Sequence, residues 1–197
     1  MEFEAVVRRR KMVRTFLDRA VDAEVLQRIL QRGQRAPSAG YAQGFEFLVL
    51  EGREQTSRFW EAVSREEEWP GEGLRAAPVL IIPLAGKRTY LDRYAEEDKG
   101  WTDRDEDRWP VPYWLVDSAF AAMLILLSAV DEGLGALFFG LEGPMYQGFR
   151  EAFGVPDEWE PIGVIAVGHP APTDPVRSSA HTRARRPLPE IVHRGHW

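Results

Sequence analysis

Apolar residues recur along the chain at helical spacing in some stretches and in short unbroken runs in others, and each pattern predicts its own element. Phe3, Val6 and Val7 fall on one face of a first helix running toward Arg10. Val25, Leu26, Ile29 and Leu30 make the stripe of a second, with Asp22 as its N-cap and an end near Gly33. Phe59, Trp60 and Val63 mark a short third helix. Leu115, Ala119, Ala122, Met123, Leu126, Leu127 and Val130 cover most of the surface of a long helix over 112–133. A helix apolar nearly all round belongs at the centre of a domain or in a subunit interface, and Gly133 suits its C′ position. Tyr146, Phe149 and Phe153 give one more amphipathic helix, stopped by Gly154. The runs 45–50, 79–84, 136–139 and 162–167 predict strands, with 79–84 apolar on both faces and so buried within a sheet. Strands separated by helices predict a layered α/β or α+β domain, and the 197 residues suit one domain over 1–197.

Two stretches lack this core pattern. Residues 86–112 are rich in charge and hold Tyr90, Tyr94, Trp101 and Trp109. A long segment of that kind is more often functional than accidental. From His169 onward the chain is rich in Pro and Arg until Ile191 and Val192.

Composition narrows the chemistry. With no cysteine there is no disulfide, thiolate metal site, iron–sulfur ligation or cysteine nucleophile, so any redox chemistry needs a non-covalent cofactor. The acidic start does not match a secretory leader. The nearly uncharged stretch 118–130 falls short of the roughly 18 residues of a membrane span, so a cytoplasmic protein without membrane contact is expected. A net charge of −6 argues against a nucleic-acid binder. Yet basic residues cluster at Arg8, Arg9, Arg10, Lys11 and Arg14, and again at Arg183, Arg185 and Arg186. An acidic chain with two such clusters suits an anionic small ligand held between them.

Arg10 and Arg14, four apart, face one way in a helix and nearly so in a tight turn, which suits a phosphate. The cluster equally suits the negative C-terminal end of the first helix. The small residues Ala36, Pro37, Ser38, Ala39 and Gly40 form a turn-rich break where a planar ring can approach the backbone, with Gln43 offering an amide to a polar ring edge; an ordinary helix-to-strand loop reads the same way. The glycine-rich 133–140 stretch runs helix-to-strand, the reverse of a dinucleotide fingerprint. His169, His181, His193 and His196 lack carboxylates at ligand spacing, so no metal site is expected.

Taken in order, these pieces resemble the FMN-dependent nitroreductase family. Residues 10–16 (RKMVRTF) resemble its opening phosphate motif, and residues 36–43 (APSAGYAQ) its flavin loop. The apolar helix followed by Gly133, Leu134 and Gly135, the strand 160–170 (EPIGVIAVGHP) and the segment 185–192 (RRPLPEIV) match in register. The resemblance implies an α+β fold with a mixed, mainly antiparallel sheet flanked by helices. It also implies FMN at the interface of a homodimer whose C-terminal segments (171–197) embrace the partner. Arg10, Lys11 and Arg14, joined by Arg185 or Arg186, then hold the phosphate. Pro37, Ser38 and Ala39 lie beside the ring, Gln43 lies near its polar edge, and Leu137, Phe138 and Gly140 line it from the other side. NADH or NADPH donates electrons and a small planar acceptor receives them, in ping-pong fashion, with no protein acid or base assigned as catalytic. Tyr41, Trp101 and Trp109 are candidate substrate contacts, and 86–112 a candidate lid; packing alone accounts for its aromatics equally well. Met12 and Tyr41 depart from the family's usual Ser and Asn, and Gly44 from a frequent Pro. A deazaflavin-linked or flavin-modifying relative and a non-enzymatic flavin-binding or redox-sensing module are the alternatives.

Overall fold

The computed structural model describes residues 1–63, 71–173, 179 and 182–197. In chain order the elements are α1 (Phe3–Arg9), α2 (Ala23–Gln34), β1 (Phe45–Glu51), α3 (Gly52–Val63), α4 (Glu72–Arg75) and β2 (Val79–Gly86), followed by α5 (Lys87–Ala95), α6 (Tyr113–Asp131), β3 (Gly135–Phe139), α7 (Gly143–Phe153), β4 (Trp159–Pro161) and β5 (Val164–Gly168). Several ends follow from local chemistry. Asp22 Oδ1 accepts the Glu24 and Val25 amides at the head of α2. Gly133 and Gly154, at φ of 77° and 65°, turn the chain off α6 and α7.

The strands lie in the order β1-β2-β5-β3, every ladder antiparallel, and β4 pairs with the end of β2. A parallel bridge from Met12 to Ala136 adds the residues after α1 to the outer edge of β3. The fold is therefore α+β with a mainly antiparallel sheet. Alternation along β2 divides its side chains between two cores. Leu80, Ile82 and Leu84 face Phe59, Trp60 and Phe149 of α3 and α7. Val79 and Ile81 face Leu26 and Ile29 of α2, and Ile125 and Leu126 of α6.

α2 ends at Gln34, next to the expected Gly33; an added Cβ on Gly33 would stand 2.7 Å from Ile125 Cγ1, so it is the close contact between α2 and α6. Three expectations are corrected. The strand expected over 162–167 is β5 and begins only at Val164: Gly163, at φ 151°, separates it from the short β4 that ends at Pro161. In α1 only Val6 is buried, while Phe3 and Val7 face outward. Lastly, α6 fills the 112–133 helix as expected, but its 19 residues, of mean hydropathy 1.8, are long and apolar enough by composition to cross a membrane, although 118–130 alone is not. Here it packs on α2 and on one face of the sheet, with 56% of it buried.

The tightest crossing is between α3 and α7, where a Cβ on Gly148 would lie 2.3 Å from the Ala62 carbonyl oxygen. Backbone cannot move aside as a side-chain tip can. Gly148→Ala is expected to destabilise the fold by about 1–3 kcal/mol despite alanine's better helix propensity. A lowered urea midpoint at unchanged slope is the readout.

Candidate functional site

The basic segment at the end of α1 is extended, not helical. The helix stops at Arg9, and the chain then runs alongside the sheet: Val13 N–H donates to Ala136 O at 3.0 Å, Leu17 N–H to His169 O at 2.9 Å, and Ala171 N–H to Thr15 O at 2.9 Å. Val13 and Phe16 are buried, which pins the register. Arg10 and Arg14 are thus separated by about 13 Å of extended backbone rather than one helical turn, and any convergence is made by their side chains. Both are half-buried, and Lys11 is exposed. Arg14 Nη1 donates to Met12 O at 3.2 Å. Arg10 and Lys11 have no ion pair or side-chain hydrogen bond among the described residues, whereas Arg28, Arg32, Arg93, Arg104, Arg108 and Arg150 all pair with carboxylates. From Ala136 the edge of β3 runs to the exposed Gly140, where an added Cβ would meet nothing within 4 Å. On β3 itself, Leu137 is buried against the α3 and α7 core and Phe138 faces the other one, so the ring contact expected of the Leu137 side chain is not available within this chain.

The loop of Pro37, Ser38, Ala39, Tyr41 and Gln43 is held in an uncommon conformation. Gly40, Tyr41 and Gln43 have φ of 60°, 56° and 53°. For the two non-glycine residues such backbone costs on the order of 1–3 kcal/mol each. Side-chain clamps hold it. Ser38 Oγ accepts the Gln43 amide at 2.9 Å, Arg93 Nε donates to Gly40 O at 2.9 Å, and Asp117 Oδ2 accepts the Ala39 amide at 2.8 Å. Arg93 is oriented in turn by both Asp98 oxygens, at 2.7 and 2.8 Å, and this hydrogen bonding lowers the Asp98 pKa. Tyr41 stands exposed at the mouth of a cleft of about 570 Å³ shared with Ala42, Gly86, Thr89 and Trp159.

Segment 86–112 is better packed than its composition suggests. Tyr90 of α5 is fully buried and donates to Asp117 Oδ2 at 2.8 Å. Burial first, and that hydrogen bond second, raise the Tyr90 pKa well above the ordinary value near 10. The raised folded value means this contribution to stability is complete below pH 10 and is lost as pH rises beyond it. Tyr90→Phe should therefore flatten the alkaline arm of a stability-versus-pH curve. Trp109 lies among Tyr90, Tyr94, Trp101, Tyr113 and Trp114, with ring centroids 4.5–6.0 Å away. Trp101 and Trp109 thus pack against each other and their neighbours instead of projecting as separate stacking platforms. The Trp109 indole N–H is buried without an acceptor among the described residues.

The expected site residues are not gathered in one place within a chain. Register puts Met12 level with Val79 on β2, through Ala136 and Val167, while the 36–43 loop enters β1 at Phe45, level with Ala85. The two groups lie about 20 Å apart along the strands and four strand spacings, roughly 19 Å, across them. They occupy opposite corners of the sheet. The long helix tells the same story: Ala39 is tied to Asp117 near its start, and the amino group of Met1 to Asp131 at its end. Arg183, Arg185 and Arg186 are exposed, and no described contact joins them to Arg10 or Arg14; Arg186 bonds to Glu190 instead. Of the histidines, His169 lies within 3.3 Å of Ala20 O, His193 stacks on Trp197, and His181 is outside the described residues.

Asp117 and Arg93 were not singled out from sequence. The signal for Asp117 was one acidic residue inside a long apolar helix, where an unpaired charge would be costly.

Comparison with known proteins bears on the arrangement as a whole. The model of the nitroreductase family matches residues 7–169. A protein of Archaeoglobus fulgidus named "Putative NADH dehydrogenase/NAD(P)H nitroreductase" is 25% identical over 190 residues, covering 95% of this chain and 94% of its own. A protein of the same name from Methanothermobacter thermautotrophicus is 29% identical over 174 residues, covering 87% of this chain and 78% of its own. Among solved structures, a nitroreductase family protein from Clostridium novyi NT superposes with a TM-score of 0.69 at 25% identity over 87% of both chains. A protein from Exiguobacterium sibiricum 255-15, solved in complex with FMN, gives 0.73 at 18% identity, covering 98% of this chain and 97% of its own.

Proposed function

The chain belongs to the nitroreductase family, and on that premise we propose that it is an FMN-dependent oxidoreductase that carries two electrons from NADH or NADPH to a small planar acceptor. The observation that carries this reading is the state of Arg10 and Lys11. These are cations without ionic partners among the described residues, set at the head of a β3 edge that ends about 13 Å away on the bare backbone of Gly140. That is the footprint of a ligand with an anionic group at one end and a flat body at the other. The donor set suits a phosphate: two guanidinium groups, an ammonium and nearby backbone N–H groups. FMN fits.

Bound there, FMN supplies hydride acceptance from the nicotinamide and two-electron delivery to the acceptor, the substrates using the site in turn. The protein's part is to bind and position. Arg10, Lys11 and Arg14 hold the phosphate. Gly140 admits the ring to the backbone, beside Phe138 and the backbone of Leu137. Pro37, Ser38 and Ala39, with Gln43 at the polar edge, are contributed by a second copy of the chain, because one chain holds them at the far corner of the sheet. A two-fold axis through α6 supplies that geometry. Phe120 and Met123 expose 47% and 46% of their surface on the face of α6 that its own chain leaves uncovered. Beside them a groove of about 470 Å³ runs between α1 and α6, lined by Phe3, Val6, Leu124 and Leu127. Pairing α6 antiparallel with its copy buries this face and reverses the helix ends, bringing the 36–43 loop of one chain to the Arg10 corner of the other. The 182–197 tail, exposed throughout on its own chain, then reaches the partner with Arg185 and Arg186. Tyr41 and the Trp101–Trp109 cluster border the acceptor side, with 86–112 as its lid.

The test is reconstitution. The protein is expected to take up one FMN per chain, to be bleached anaerobically by NADH or NADPH, and to recover its colour with a nitroaromatic or quinone. Failure to retain FMN would refute the reading. Uptake followed by bleaching only with a reduced deazaflavin would change the donor.

A further inference from the structure

Asp117 sits within α6, 3% exposed, and a single one of its oxygens accepts two hydrogen bonds of 2.8 Å, one from the Ala39 amide and one from the Tyr90 hydroxyl. The first bond enters the strained loop just before Gly40, Tyr41 and Gln43. The second enters the hub of the aromatic cluster, since the Tyr90 ring meets Trp109 at 6.0 Å and Trp114 at 6.3 Å. Gly44 closes over that same ring, where an added Cβ would stand 2.4 Å from it, and the Gly86 amide donates to Gly44 O at 2.9 Å. The loop and the aromatic segment thus meet at one carboxylate, and the chain entering β1 packs on its Tyr90 partner.

From this juxtaposition we infer that Asp117 is a positioning residue for the flavin site, holding the loop that meets the ring and the aromatic wall that meets the acceptor in one fixed relation. This rests on the function proposed above, but its geometry belongs to a single chain. A carboxyl group suits the task, because one of its oxygens can accept from both donors at once. Both donors use the same oxygen, so displacing the loop disturbs the Tyr90 hub, and the reverse. Arg93, donating to Gly40 O from α5, is a second tie between the same two parts.

Three substitutions separate positioning from plain stability. Asp117→Ala removes both acceptor contacts, Asp117→Asn keeps an acceptor oxygen without charge, and Tyr90→Phe removes one donor. Hydrogen exchange on the FMN-free full-length chain is read first. In Asp117→Ala the amides of 39–43 are expected to exchange about ten-fold faster or more, while those of 121–129 in α6 keep their protection. In Asp117→Asn the 39–43 amides return most of the way to wild type. In the FMN-loaded protein, Asp117→Ala weakens FMN binding about ten-fold and Asp117→Asn restores most of it. Tyr90→Phe raises the KM for the acceptor and weakens FMN binding by less than Asp117→Ala does. Unchanged exchange at 39–43 in Asp117→Ala overturns the inference, as does a lowered melting temperature with FMN affinity and KM unmoved in all three variants. Should Asp117→Ala not fold, the KM shift in Tyr90→Phe decides. Failure of the wild-type protein to bind FMN sinks the proposed function instead, and the exchange result stands apart from it.

Discussion

Arg10→Glu is expected to weaken FMN binding by roughly 100-fold or more while leaving the FMN-free protein nearly as stable as before. A charge-assisted hydrogen bond contributes about 1.5–3 kcal/mol, and the reversed charge adds repulsion toward a phosphate. The asymmetry between binding and stability is the informative part. Within one chain the Arg10 side chain makes no ion pair or hydrogen bond among the described residues. Its electrostatic contribution to the fold is a cation at the C-terminal end of α1, worth about 0.3–1 kcal/mol; reversing it costs about twice that, so the melting temperature should fall by no more than about 8 °C. Fluorescence titration with FMN alongside thermal melting of the FMN-free protein checks both halves. Equal losses in the two would mean that Arg10 supports the fold rather than a ligand.

A second large effect is expected at the exposed face of α6. Phe120→Glu with Met123→Glu should convert the protein to monomers and abolish FMN retention in the same step. Burying a large apolar side chain contributes about 1.5–3 kcal/mol. About half of each side chain is exposed in the single chain and a two-fold interface carries each residue twice, so the pair represents about 3–6 kcal/mol, a roughly 10²- to 10⁴-fold weakening of association. Four carboxylates brought together at the axis add repulsion. Because neither side chain is part of its own chain's core, secondary structure should survive. Sedimentation velocity reads the assembly, and the absorbance that travels with the protein boundary reads the flavin. Monomers that still carry flavin would separate the two properties and contradict a site built from two chains.

Much of the architecture was legible in the chain because its signals are local. Asp22 before an apolar stripe, Gly133 and Gly154 after theirs, and the unbroken run of β2 each fix a boundary through chemistry within a few residues. What escaped depends on distant partners. α5 buries only Tyr90 fully, so its pattern is too sparse to stand out in a charged segment. The break between β4 and β5 is set by Gly163, where a Cβ would meet the Phe138 ring at 2.4 Å, a contact from another strand. The extended path of residues 10–17 comes from bridges to Ala136 and Pro170, which no window around Arg10 contains.

The site divides the same way. Its parts were visible as types: a basic cluster, a small-residue loop and an aromatic segment. Their separation was not, because it is a property of sheet order. Four spacings between β1 and the Met12 edge, and opposite levels along the strands, place the loop and the arginines at far corners. On the proposed reading, topology supplies the reason for a second copy: one chain holds the loop and the arginines at far corners of its sheet.

Mixed dimers test that claim most directly. One chain carries Arg10→Glu and the other Ser38→Trp, each tagged so that only the mixed species is purified. If each site takes its arginines from one copy and its loop from the other, the mixed dimer contains one doubly damaged site and one site of wholly wild-type residues. It should then bind one FMN per dimer with wild-type affinity, although neither homodimer binds tightly. If each chain builds its own site, both sites in the mixed dimer are damaged, and no tightly bound flavin would be found.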